Sequence, residues 1–113
     1  MNTIALTDKS KMALPKMGIM THIVELSRHD YIYVKGHIKI NDQLIIKEDC
    51  SRFWDPCALV LYYKGFKLGY LNNSINKVVH KMLNRFGEVQ IEVKNISSKN
   101  QPFDGVDVLI KIQ

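Results

Sequence analysis

The chain has 113 residues, 46% of them hydrophobic, and a formal net charge of +5. A chain of this length forms one domain rather than several, and folding buries roughly 65% of the surface that the unfolded chain exposes. The mild positive charge is compatible with nucleic acid as a partner but does not require one, because proteins often carry such a charge only to remain soluble.

The sequence predicts a cytoplasmic protein that does not bind membranes. Cys50 and Cys57 are the only cysteines, and with no second pair they are expected to be free thiols in a reducing compartment. The first residues lack the basic segment of a signal peptide, and no run approaches the ~20 apolar residues that a membrane helix needs.

The first twenty residues differ from the rest of the chain. Residues 1–20 are polar, include Pro15 and Gly18, and show neither a helical nor a strand period. We therefore expect a mobile N-terminal arm. Residues 21–113 are expected to form the single folded domain.

The beginning of this domain is rich in β-branched and aromatic residues, which favour extended structure. Ile23–Leu26, Tyr31–Val34 and the isoleucines that follow predict two strands that join near residues 27–30, or one long bent strand. Gln43–Lys47 predicts a further strand.

A tight hairpin is predicted in the middle of the chain, directly after the only tryptophan. Ala58–Tyr63 is apolar and rich in aromatic residues, Lys64-Gly65 supplies a turn, and Phe66–Leu71 returns. Gly69 within the second strand indicates a place where backbone approaches backbone.

One helix is predicted after the hairpin. Apolar residues recur with the i, i+3, i+4, i+7 spacing of a single stripe from Ile75 to Phe86. Asparagines 72 and 73 and the following serine offer capping side chains before the stripe, and Gly87 follows its end.

Period-two alternation predicts two final strands, Glu88–Val93 and Val106–Ile112, joined by a polar loop that contains Phe103. Five or six short strands with one packing helix predict a mainly β fold of the α+β class. We expect the strands to form a small antiparallel barrel or a strongly curved sheet.

Catalytic, metal and cofactor sites are not predicted. The four histidines are scattered, His80 is expected to face solvent from the helix, and no Cys-x-x-Cys or His-x-x-x-His spacing occurs. No nucleophile has a base at a recognisable spacing, and neither standard phosphate loop is present. We expect a protein that is not an enzyme.

Three aromatic residues near turns or strand ends, Trp54, Tyr70 and Phe103, are candidates for stacking on bases, and the alternative for each is an ordinary place in the core. Asp55 is suited either to accepting a hydrogen bond from a free hydroxyl or to capping a turn. The start of the predicted helix, which includes Asn73, contains no acidic residue. Its free backbone amides either bind a phosphate or are capped by the neighbouring side chains.

The stretch from Trp54-Asp55-Pro56-Cys57-Ala58 to Lys67-Leu68-Gly69-Tyr70-Leu71 resembles the HIRAN domain. This small module occurs alone in bacteria and phages and also fused to SWI/SNF-type DNA translocases. The shared pattern is aromatic-Asp-x-x-Ala, a hydrophobic strand, then Gly-x-Lys-hydrophobic-Gly-Tyr-hydrophobic. The chain departs from the family pattern at Asp30, Arg52 and Cys57.

The resemblance implies a barrel similar to an OB-fold that binds the 3′-hydroxyl end of single-stranded DNA in a pocket. It implies that Asp55 receives the terminal hydroxyl and that Trp54 stacks on the terminal base. Tyr70 and Asn73 would flank the phosphate path and Phe103 would be a further pocket aromatic, while the basic and aromatic residues of the first family strand match Arg28 and His29.

Two functions from different classes follow as expectations. The first is a non-catalytic module that captures the 3′ end of single-stranded DNA in repair or replication, alongside other DNA-processing proteins. The second is a protein-interaction or assembly module that binds no nucleic acid, in which apolar strands such as Val106–Ile112 offer free edges for pairing.

Overall fold

Six strands, one long helix and two short helical turns make up the computed structural model of the protein, which describes residues 18–55, 57–97 and 103–112. In chain order the elements are β1 (Gly18–His22), a 3₁₀ turn (Leu26–Arg28), α1 (Tyr31–Val34), β2 (Gln43–Asp49), β3 (Ala58–Tyr63), β4 (Phe66–Tyr70), α2 (Asn73–Phe86), β5 (Gln90–Ile96) and β6 (Val106–Lys111).

The strands form one antiparallel sheet in the order β1-β6-β5-β2-β3-β4. This confirms the mainly β fold with one main helix. The sheet is not closed into a barrel, because β1 and β4 at its two ends do not pair as strands. One isolated bridge lies between them: Val24 and Tyr70 exchange backbone hydrogen bonds of 2.8 and 3.0 Å.

The β3–β4 hairpin has the predicted strands and turn. Lys64 and Gly65 have φ angles of 47° and 87°, the left-handed pair that a two-residue turn needs to match the twist of its strands. A Cβ atom on Gly69 would collide with the carbonyl oxygen of Val24. The predicted close approach of two backbones is therefore the approach of β4 to the Val24 bridge.

Helix α2 begins and ends where its sequence predicts. Asn72 caps the start, with its side-chain oxygen accepting a hydrogen bond from the Ser74 amide at 3.0 Å. Gly87 takes a φ of 85° and donates its amide to the Leu83 carbonyl at 2.8 Å, as expected for a glycine that ends a helix. Val79 and Met82 carry the stripe into the core.

The strands predicted between residues 23 and 34 are wrong. Tyr31–Val34 forms a single helical turn, which buries Tyr31 and Val34 and leaves Ile32 and Tyr33 each 71% exposed. Asp30 fixes this turn against β4, since its amide donates to the Lys67 carbonyl at 2.9 Å and its carboxylate accepts from the Lys67 amide at 3.2 Å. Burial of Tyr31 and Val34, which are three residues apart, favours a helical turn, and this burial outweighs the β propensity of the segment.

Two further expectations need correction. Residues 18–20 belong to β1 rather than to the predicted arm, whose first seventeen residues lie outside the described part of the chain. Strand β6 offers no free edge, because it pairs with β1 on one side and with β5 on the other. In the described residues, no helix has the length and apolarity needed to cross a membrane.

Candidate functional site

The connection between β2 and β3 projects from the sheet and is held at its start by side-chain hydrogen bonds. Asp49, the last residue of β2, accepts the amide of Ser51 at 3.0 Å and the hydroxyl of Ser51 at 2.5 Å, a local turn typical of aspartate. The Asp55 amide then donates to the Arg52 carbonyl at 3.2 Å. Two successive turns thus set the direction of Trp54 and Asp55.

Arg52 crosses from this connection to the segment after β1. Its guanidinium donates to Glu25 at 2.6 Å, and the two side chains are only 13% and 23% exposed. The hydrogen bond from Arg52 holds the pKa of Glu25 below its ordinary value. Arg52 also lies 3.7 Å above the ring of Tyr70 and 4.9 Å from the ring of Trp54, so one cation links both aromatic side chains.

Tyr70 is a supporting residue rather than an exposed stacking surface. Its ring is buried, Arg52 covers one face, and its hydroxyl donates to Asp49 and accepts from the Lys67 ammonium, both at 2.7 Å. Hydrogen bonds from Ser51 and Tyr70 hold the pKa of Asp49 well below its usual range. The Tyr70 hydroxyl therefore already has partners within the protein.

Asp55 is held from the other side by α2. The side-chain amide of Asn76 donates to its two carboxylate oxygens at 3.2 and 3.5 Å. Asn76 is a buried polar residue in a helix whose sequence predicts an apolar inner face. This contact gives the buried amide nitrogen of Asn76 a partner, whereas its Oδ1 atom has no hydrogen-bond partner in the described residues. The expected turn-capping role of the Asp55 carboxylate is not seen in the described residues, where this carboxylate accepts only from Asn76; the Ala58 amide donates instead to the main-chain carbonyl of Asp55 at 3.1 Å.

These side chains surround a cleft of about 180 Å³. Its floor and walls come from four segments: the residues after β1, the β2–β3 connection, the end of β4 and the start of α2. The lining residues are Val24, Glu25, Arg52, Trp54, Asp55, Tyr70, Leu71, Asn72 and Asn73. The cleft is smaller than the roughly 300–1,000 Å³ typical of drug-sized ligand sites, so it is sized for one end group of a larger ligand.

The charges of the lining residues are mixed. Glu25 and Asp55 contribute two carboxylates and Arg52 one guanidinium, while α2 has no acidic residue in its first turn. Trp54 forms the lip, where its ring is 60% exposed and contacts Phe53 edge-on with 5.1 Å between ring centroids. A flat apolar surface thus adjoins a polar interior.

The structure brings together four of the seven predicted site residues: Trp54, Asp55, Tyr70 and Asn73 all line the cleft. His29 lies behind it, with its ring centroid 5.7 Å from that of Tyr70 and its Nε2 atom 3.5 Å from Glu25 without a hydrogen bond. Arg28 is exposed on the 3₁₀ turn and does not line the cleft.

Phe103 is also absent from the cleft. It is 79% exposed and is followed by Asp104, which pairs with Lys35 at 3.2 Å. The predicted site also lacked Glu25 and Arg52, which form the central ion pair. In the sequence Arg52 marks a departure from a family pattern, and no local signal connects it with Glu25.

The chain matches no protein-family model, and we found neither a curated protein nor a solved structure with significant similarity to it.

Proposed function

We propose that this protein is a non-catalytic module that captures the 3′-hydroxyl end of single-stranded DNA in the cleft beside Trp54. The observation that carries the proposal is the placement of an exposed indole ring and a carboxylate, adjacent in sequence, on one small cleft at the start of α2. A base would stack on Trp54, and Asp55 would accept a hydrogen bond from the terminal hydroxyl.

The charge of the cleft favours a strand end over the middle of a strand. Its two carboxylates outnumber its single guanidinium, and that guanidinium is already paired with Glu25. A phosphate placed among these groups would be repelled by Asp55, whereas a hydroxyl would gain an acceptor. A DNA strand that ends in a hydroxyl can place that hydroxyl beside Asp55 without bringing a phosphate into the cleft.

The preceding phosphate would lie outside the acids, at the start of α2. Asn73 is exposed there, and no residue in the first turn of α2 is acidic. Helix starts of this kind attract phosphate through backbone amides and the dipole. Asn73 and the helix start would therefore set the direction of the strand.

The proposal extends to the fold. The bridge between Val24 and Tyr70 supports a HIRAN-like sheet that curves toward an OB-fold-like barrel. The binding cleft would lie where the segment after β1 approaches β4, which are at the two ends of the sheet. In bacteria or phages, a free-standing copy would mark strand ends for other DNA-processing proteins during repair or replication.

Fluorescence anisotropy with labelled single strands tests this function. Strands that end in a 3′-hydroxyl are expected to bind more tightly than strands that end in a 3′-phosphate. Trp54→Ala should weaken binding about 5- to 150-fold, the equivalent of ~1–3 kcal/mol for one stacked base. Phe103→Ala is the matched control, because it removes an exposed aromatic ring away from the cleft and should leave affinity unchanged.

Asp55→Asn separates end capture from general attraction to DNA. We expect at least about tenfold weaker binding to the hydroxyl end, because a hydrogen bond to a charged group is lost, whereas the phosphate end should bind as before or more tightly, because Asp55 no longer repels the phosphate. Equal and weak binding of both ends, unaffected by Asp55→Asn, would contradict the proposal.

A protein-interaction module is the second candidate, and one observation favours it. Ile32 and Tyr33 stand side by side on α1, each 71% exposed, which is unusual for adjacent large apolar side chains. A protein partner bound there would show little salt dependence, whereas DNA binding should weaken steeply as salt rises. Loss of partner binding in Ile32→Ser, with DNA absent from the complex, would support this candidate.

A further inference from the structure

Three side chains with metal-binding atoms meet at the base of the β2–β3 connection, and a fourth lies beside them on α2. The thiols of Cys50 and Cys57 lie 2.9 Å apart. A carboxylate oxygen of Glu48, at the end of β2, lies within 4.8 Å of both sulfur atoms. His80 of α2 lies beside this group: its Nδ1 atom is 3.5 Å from the Glu48 carboxylate, and it would have to move closer to the two sulfur atoms to bind the same ion.

His80 has the orientation of a metal ligand rather than that of the expected solvent-facing residue. Its Nε2 atom lies 2.9 Å from the carbonyl oxygen of Cys57. A carbonyl only accepts, so Nε2 carries the proton, and in the neutral ring Nδ1 presents its lone pair to Glu48. Metal-binding histidines are commonly held in this way, with the second ring nitrogen donating to a carbonyl.

The distance between His80 and Glu48 fits two ligands of one ion. At 3.5 Å the pair is longer than the 2.7–3.2 Å of an ordinary hydrogen bond. In a tetrahedral zinc site, nitrogen and oxygen ligands at ~2.0–2.2 Å from the metal stand about 3.3–3.6 Å apart. The two lone-pair-bearing groups are therefore spaced as they would be on either side of a cation.

The two thiols are also available for metal binding. They are not joined in a disulfide, whose sulfur atoms would stand about 2.05 Å apart. In a zinc site with bonds of ~2.3 Å the sulfur atoms would stand about 3.8 Å apart, so the thiols must separate by about 0.9 Å. Cys50 is exposed and is free to make this movement. The hydrogen bond between the thiols raises the pKa of Cys57, and a bound metal would displace these protons.

We propose that Cys50, Cys57, Glu48 and His80 bind one zinc ion. Two thiolates with an imidazole and a carboxylate suit zinc, whereas magnesium and calcium prefer sites made of oxygen alone. The ion would tie together both ends of the connection that carries Arg52, Trp54 and Asp55. It would thus hold the lip of the cleft, and the proposal does not depend on what the cleft binds.

Cobalt(II) is the probe for this site, because it adopts the same geometry and is displaced by zinc, which binds more tightly. The full chain, reduced and freed of metal by a chelator, is titrated with cobalt. We expect a thiolate-to-cobalt charge-transfer band that saturates at one equivalent and disappears when one equivalent of zinc is added. A protein without the band, or with a stoichiometry other than one, overturns the proposal.

Variants identify the ligands. Cys50→Ser and Cys57→Ser should each weaken both the band and cobalt binding, because one of the two thiolates is lost, while Glu48→Gln and His80→Gln should weaken cobalt binding by about 10- to 100-fold or more. His37→Gln is the matched control, since His37 is exposed and stands outside the cluster. Circular dichroism of each variant checks that it folds. An unchanged affinity in both His80→Gln and Glu48→Gln, or a band of undiminished intensity in Cys57→Ser, would contradict the assignment.

Discussion

In the β3–β4 hairpin most strand side chains are buried, whereas in the connection that leads into it the largest side chains face solvent. Leu59 and Leu61 are fully buried, while Phe53 and Trp54 are 89% and 60% exposed. The hairpin is fixed by apolar packing and paired strands, and the connection by an aspartate turn and the Arg52–Glu25 pair. Neighbouring stretches of one chain are thus stabilised by different forces.

This difference separates stability from recognition. Burial of apolar surface supplies most of the free energy that favours folding, whereas a partly exposed ion pair contributes little. Changes in the hairpin should therefore lower the stability of the whole domain, and changes in the connection should alter the cleft while the domain stays folded. Four substitutions test this separation, beginning with the largest expected effect.

Leu59→Ala should cost about 2–5 kcal/mol in the free energy of unfolding, because it leaves a cavity at a fully buried position. Urea unfolding followed by circular dichroism measures it. Ile45→Ala on β2, at a position that is 58% exposed, is the control and should change stability by no more than ~1 kcal/mol. A loss below about 1 kcal/mol for Leu59→Ala would mean that the hairpin does not hold the core.

Gly69→Ala tests the place where the hairpin meets the segment after β1. The new methyl group would collide with the Val24 carbonyl, and we expect a loss of about 1–3 kcal/mol from overpacking against backbone. Hydrogen exchange should show faster exchange at the Val24 and Tyr70 amides. Gly36→Ala, where no atom lies within 4 Å of the added carbon, should be neutral or slightly stabilising.

Arg52→Ala tests the connection itself. We expect a loss of only about 1–2 kcal/mol, together with a rise in the pKa of Glu25 toward 4.5, its value without a partner. A carboxylate whose pKa is lower in the folded than in the unfolded protein stabilises the fold at pH values above the unfolded pKa. This contribution is lost as the pH falls through the folded pKa. The variant should therefore lose less stability than the natural chain on acidification.

NMR titration of Glu25 measures this change directly. Lys35→Ala is the control, because its pair with Asp104 is more exposed, at 51% and 38%, and should contribute no more than ~0.5 kcal/mol. If Arg52→Ala and Lys35→Ala lower the free energy of unfolding equally, Arg52 behaves as an ordinary surface residue.

Glu92→Gln serves as a reference outside both regions; the contribution of the Glu92 carboxylate is complete at neutral pH, and we expect it to be the smallest of the four because ion pairs at the surface contribute little. Hydrogen bonds from Lys111 and Lys94 lower the pKa of Glu92 from 4.5 to about 2. The carboxylate thus stabilises the fold above pH 4.5, and that contribution is lost as pH falls from 4.5 to about 2. Melting temperatures across this range should fall less steeply in Glu92→Gln than in the natural chain.

Local sequence signals predicted the hairpin, α2 and its caps, and strands β2, β5 and β6, because each depends on residues close together in the chain, whereas β1 was placed in the arm. Lys64-Gly65 fits one turn type, and Gly87 ends a helix wherever its neighbours lie. Tyr31–Val34 was misassigned as a strand because its β propensity is local, whereas the contact between Asp30 and Lys67 that sets its conformation is distant.

The candidate site was predictable only in part for the same reason. Trp54 and Asp55 are neighbours, and the hairpin and helix bring Tyr70 and Asn73 to them. The Arg52–Glu25 pair and the support of Asp55 by Asn76 connect separate segments. Phe103 and Arg28 were placed in the site by resemblance, and they lie outside the cleft.

The single bridge between Val24 and Tyr70 has a consequence for how the protein folds. It joins segments far apart in the chain, so the entropy of closing that loop is lost before the contact is gained. The hairpin can form early from nearby residues, but the cleft exists only once Val24 reaches β4. A partial opening that frees Val24 would abolish the cleft while the hairpin stays intact, so ligand binding would report on the last step of folding.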